Sequence, residues 1–85
     1  MGQLRRAIER LREAERAFRD ARDRYGEAAD SFREAVRLKP EHAEARFNLG
    51  LVHLALDDAA AARAEVEALQ KLNPELAAKL KSLGN

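Results

Sequence analysis

Residues 47–58 read Phe-Asn-Leu-Gly-Leu-Val-His-Leu-Ala-Leu-Asp-Asp (FNLGLVHLALDD). At helical periodicity, Phe47, Leu51 and Leu54 fall on one side of this segment, and Leu49, Val52 and Leu56 on the other. Arg46, Gly50, His53 and Asp57 separate the two along one edge. A helix that is apolar on opposite sides is covered on more than one face. The fold must therefore place this helix between neighbours, and the function of the chain turns on what covers the second stripe.

Outward from this segment, Ala, Leu, Glu, Arg and Lys dominate and β-branched residues are scarce, so helix is the strong local preference. The 85 residues make one small domain, and a chain of that size buries only about 60–65 % of its unfolded surface. Small domains supplement such a core with disulfides, metals or oligomerisation. There is no cysteine, which excludes a disulfide framework, and His42 and His53 form no cluster with metal-ligand spacing. Oligomerisation is the supplement that remains.

Two prolines, Pro40 and Pro74, stand 34 residues apart, an invitation to look for an internal repeat. Five helical segments are expected. The first runs from Gln3 to Arg22 on Leu4, Ile8, Leu11, Ala14, Phe18 and Ala21. The second runs from Arg24 to Lys39 on Tyr25, Ala28, Phe32, Ala35, Val36 and Leu38. The third spans Glu41 to Leu56. The fourth spans Ala59 to Leu72 on Ala62, Val66, Leu69 and Leu72, behind the capping acids Asp57 and Asp58. A short fifth carries Leu76, Leu80 and Leu83. Its start, Asn73-Pro74-Glu75, combines a capping amide, a proline at the first helical position and an acid near the positive helix end.

Aligned on the prolines, Ala28 meets Ala62, Phe32 meets Val66, Ala35 meets Leu69 and Leu38 meets Leu72. Leu49-Gly50 supplies an L-G pair, Ala28-x-x-x-Phe32 with Pro40 and Ala62-x-x-x-Val66 with Pro74 supply two A-x-x-x-φ…P halves, and Leu83-Gly84 repeats the L-G pair. This pattern resembles the tetratricopeptide repeat (TPR) family, whose helix-turn-helix unit carries these residues at these offsets. The resemblance covers residues 23–85 well and 1–22 poorly. It implies an all-α, antiparallel helix-hairpin repeat array of about five helices: an extended first helix over 1–22, the second helix of one repeat over 23–42, a full repeat over 43–76 and a capping helix over 77–85. Small residues, Gly50 and the alanines at 28, 35 and 62, allow close approach of helix axes. Arg46 and His53 depart from the family's bulky aromatics, and Leu11, Ala14 and Phe18 lie one residue out of its register.

Neither within-repeat turn contains the usual glycine before its second helix: the second turn reads Leu56-Asp57-Asp58-Ala59 and the first Asp23-Arg24-Tyr25-Gly26. A seven-residue spacing runs through the first turn: Leu4, Leu11, Phe18, Tyr25 and Phe32, with alanines at 7, 14, 21, 28 and 35 between. The ordinary hairpin is the leading expectation. The spacing also permits helices one and two to fuse into one rod, which must then find its partner in another chain.

The resemblance implies that the first helix of each repeat lines a concave groove. The groove-facing residues are then Glu44, Phe47, Asn48, Leu51, Leu54 and Ala55, a binding surface for a protein or peptide or for a second copy of the chain. The alternative is a purely structural, self-assembling dimer. Burying Phe47, Leu51 and Leu54 stabilises a complex by roughly 5–8 kcal/mol before ordering costs; folding of a terminal helix over them is the competing use. Asn48 falls on one position of the family's carboxylate clamp, but the matching basic positions hold Glu13, Ala17, Ala78 and Ser82, so no clamp is expected.

Sixteen basic residues balance fifteen acids. Eight arginines among the first 24 residues are interleaved with five acids, the pattern of a solvated helix face and not of a nucleic-acid footprint. No apolar run has the length of a membrane span and no signal-peptide pattern is present, so a cytoplasmic setting is expected. The chain lacks a phosphate loop, a nucleophile–histidine–acid set and any metal-protease motif. No enzyme activity, cofactor or metal is expected. The composition fits a natural domain, a fragment of a longer array and an engineered chain alike.

Overall fold

The computed structural model describes residues 2–84. It contains four α-helices in chain order: α1 over Gly2–Leu38, α2 over Ala43–Ala55, α3 over Ala59–Leu72 and α4 over Pro74–Leu83. No strand occurs among the described residues. The expected all-α helix-hairpin array is present, with one correction: the first two expected helices are a single 37-residue rod.

The physical reason lies in the turn. At Asp57-Asp58 the chain leaves α2 through a Schellman arrangement, in which the Asp57 amide donates to the Leu54 carbonyl and the Asp58 amide to that of His53. Asp57 takes φ 60°, the left-handed conformation this exit demands. The Asp58 carboxylate then caps α3, accepting from the Ala61 amide at 3.1 Å. One repeat earlier, Asp23 is followed by Arg24. Arginine has no acceptor with which to cap a new helix, so α1 runs on through the position where its counterpart turns.

The other junctions follow local chemistry. Pro40 removes a backbone donor and disfavours helical geometry at Lys39, so α1 ends at Leu38. Residues 39–42 form a turn closed by the His42 amide on the Lys39 carbonyl, and α2 therefore starts at Ala43 rather than Glu41. The His42 ring caps α2, its Nδ1 accepting from the Ala45 amide at 3.1 Å. Asn73 caps α4 by accepting from the Leu76 amide at 3.1 Å, with Pro74 at the first position.

α2 is the centre of the array, packing on α1, α3 and α4. Leu49 and Val52 join Ala29 in one core cluster, flanked by Ala28, Phe32, Val36 and Leu56. Val66 and Leu69 of α3 join Ala77 and Leu80 of α4 in the second. Leu69 and Leu80 are its fully buried large side chains. Gly50 belongs to this junction: a methyl group there would collide with the Leu80 side chain, so the absence of a Cβ lets α2 and α4 approach.

Several residues expected in apolar stripes lie outside the core. Leu38, Leu72 and Leu83 are exposed, and so is Tyr25. The N-terminal half of α1 is more extreme: every residue from Gly2 to Asp20 is exposed, with Phe18 at 78 %. Small residues take unexpected core positions, with Ala29, Ala45 and Ala77 almost fully buried.

Candidate interaction surface

The two stripes of α2 have different neighbours. Leu49, Val52 and Leu56 face α1 and pack in the cluster around Ala29. Phe47, Leu51 and Leu54 are half-buried against the α3–α4 cluster, beside Ala43 and Leu76. α4 thus covers one flank of the second stripe, and Lys79 places its ammonium 5.7 Å from the centre of the Phe47 ring. The third edge of α2 faces α3. Its residue Arg46 donates to the Pro40 carbonyl at 2.7 Å and pairs with Glu65 at 3.3 Å. The guanidinium ties the α1–α2 turn to α3 at a position where an aromatic was expected to pack.

What remains is a narrow arc along α2 between α4 and α1. Glu44 and Ala55 are exposed there, while Asn48 and Leu51 are half-buried. All six expected groove residues lie on one contiguous side of α2, with Phe47 and Leu54 at its α4 margin and Glu44, Asn48 and Ala55 at its open margin. The exposed apolar area is smaller than the stripe's composition implied, because α4 folds back over part of it.

A second concavity was not foreseen in the sequence. A cleft of about 520 Å³ opens where α2 ends, bordered by Leu54, Ala62, Val66, Leu80 and Gly84 and rimmed by Arg63, Glu67 and Gln70. Its walls come from α3, through Ala62, Arg63, Val66, Glu67 and Gln70, and from α4, through Leu80 and Gly84.

The ion pairs among the described residues are Arg33–Asp30, Arg37–Glu34 and Arg46–Glu65, so His53, at helical spacing from Asp57, does not pair with it. His53 is instead buried at 6 % exposure, facing the interior of the array. No group of three or more His, Cys, Asp or Glu side chains among the described residues could hold a metal ion. No helix among them is long and apolar enough to cross a membrane.

The geometry, two antiparallel helices joined through a tight turn and followed by a third packed at a glycine contact, has a counterpart among known families. A family model described as tetratricopeptide repeat matches residues 16–77. The chain belongs to the tetratricopeptide repeat family. No curated protein and no solved structure matches it. TPR arrays are generally non-catalytic folds for protein interaction, and the match spans the second part of α1, all of α2 and α3, and the start of α4. The match begins at residue 16, inside the exposed half of α1, so the TPR pattern extends into a segment that has no neighbour within the chain.

Proposed function

We propose that this TPR array is a non-enzymatic interaction module that takes an apolar helix or extended segment along the open side of α2. The observation that supports this most directly is the arc formed by Glu44, Asn48, Leu51 and Ala55, unoccupied between α1 and α4 and continuous with the half-buried Phe47 and Leu54. A helix side that carries apolar residues next to polar ones suits an amphipathic helix, which buries one face and leaves the other in water. The occupant is another protein or a second copy of this chain, and the reading needs no cofactor.

The chain has no native cysteine, so Ala55→Cys gives a single attachment point for an environment-sensitive fluorophore. A leucine- and alanine-rich amphipathic helical peptide is expected to shift the emission to the blue with saturation. The same peptide should leave a label at Ser82→Cys unchanged. Unlabelled Ala55→Glu should fail to compete for the peptide while keeping its helicity. An emission that never saturates, or that responds equally at both sites, refutes the groove.

A further inference from the structure

A compact chain of 9.5 kDa exposes about 5,000 Å² of surface, yet this one exposes 6738 Å². The surplus of about 1,700 Å² exceeds the roughly 800 Å² that each partner contributes to a standard interface. The radius of gyration is 16.9 Å, against about 12 Å for a compact chain of this length. Both excesses come from one feature. The first half of α1 projects from the array with Leu4, Leu11 and Phe18 bare along one side.

That bare side is not arbitrary. Leu11 and Phe18 are placed by the seven-residue spacing on the same face of α1 as Ala29, Phe32 and Val36, which pack against α2. The rod thus presents a continuous apolar face, of which α2 covers only the C-terminal half. Along the face bulky residues alternate with alanines. Two such helices running antiparallel bring a bulky position of one opposite an alanine of the other, which allows their axes to approach closely.

The register follows from the repeat. The real turn at Asp57-Asp58, moved back by the 34-residue period, falls at Asp23-Arg24. Positions equidistant from Asp23 are the ones a closed hairpin would bring together: Phe18 with Ala28, Ala14 with Phe32, and Leu11 with Ala35. Each pair joins a large side chain to an alanine. An open rod can make none of these contacts with itself, but two rods can exchange them.

We propose that residues 4–21 of α1 complete the array of a second copy of this chain, forming a symmetric dimer in which each rod spans both arrays. The exchanged half supplies the missing first helix of the preceding TPR unit. It lies on Ala28, Phe32 and Ala35 of the other copy's α1, which that copy's own α2 leaves only partly buried, and beside the open margin of its α2. The groove proposed above is then composite, with one wall from each chain. This placement of the wall rests on the groove reading; the exchange itself does not.

Paired cysteines at Phe18 and Ala28 test the exchange in the full-length chain, since the register sets these two opposite each other across the seam. Under mild oxidation at micromolar concentration they should link chain to chain. Sedimentation equilibrium of the unmodified protein should give twice the single-chain mass. A second variant, Arg24→Asp, rebuilds the Asp-Asp turn found at residues 57–58; it should sediment as a single chain, and the same cysteines should then close within it. A single-chain mass for the unmodified protein overturns the proposal, as does an intrachain link in its presence or a dimer that forms no link at these positions. The fluorophore assay at residue 55 reads the groove separately: a single-chain protein that still binds the peptide there rejects the exchange and keeps the groove.

Discussion

Gly50 and Leu80 meet at the tightest point of the array, and their roles can be separated by substitution. Gly50→Ala adds a methyl group against the end of the buried Leu80 side chain, which must shift to admit it, and overpacking of this kind costs about 1–3 kcal/mol. Leu80→Ala removes packing from the α3–α4 cluster and costs about 2–5 kcal/mol. The double variant should be more stable than the sum of the two losses implies, because the new methyl enters space that Leu80 vacates. Urea unfolding followed by circular dichroism measures all three, and strict additivity would show that the two residues do not share a contact. On α1, the Arg37 guanidinium bonds Glu34 at 3.0 Å and holds its carboxyl below the usual carboxylate range. A folded-state value below the unfolded one means the pair supports the helix at neutral pH and loses that support as pH falls through the lowered value. A carboxyl titration by NMR should find Glu34 below the usual glutamate range, and Arg37→Gln should raise it toward that range.

Among the elements, helix junctions carry the most local information. Removing the α3 cap with Asp58→Ala should destabilise the array by about 1 kcal/mol in thermal or chemical unfolding, because the Ala61 amide loses its acceptor. Gly26 behaves in the opposite sense. It sits inside the continuous α1 with nothing within reach of an added Cβ, and glycine within a helix costs roughly 0.5–1 kcal/mol relative to alanine. Gly26→Ala should therefore stabilise the rod by about that amount, measured by the same unfolding curves; a loss would place Gly26 in a turn. These junctions also mark what the sequence made legible. Asn73-Pro74 and Asp57-Asp58 announced the starts of α4 and α3, and the proline period announced the repeat. The loss of the first turn was visible only as a competing seven-residue spacing, since a single Arg24 in the place of a capping acid is a small signal beside a family pattern that expects a hairpin. The residues of the proposed groove could be placed on one face of α2 from their spacing alone. How much of that face α4 covers could not be read, because burial of Phe47, Leu51 and Leu54 depends on where a short C-terminal helix docks, which propensity does not encode.

For the molecule as a whole, stability and association are linked through the exposed half of α1. A helix of about 20 residues without tertiary support is marginal in water, whereas the same segment packed on a second copy is part of a core. Anything that binds the folded state adds to its stability by mass action, so a folded dimer melts at a temperature that depends on protein concentration. For two chains of this length unfolding together, each tenfold increase in concentration should raise the melting temperature by about 4 °C. Amide exchange should follow the same variable. Residues 5–20 should exchange rapidly in dilute samples and gain protection as concentration rises, while amides around Leu69 stay protected throughout, since their cover comes from α2 and α4 of the same chain. A melting temperature that is flat over three decades of concentration, with the N-terminal amides equally exposed at both ends of the range, would mean that the rod stands alone and that its apolar face serves no second copy.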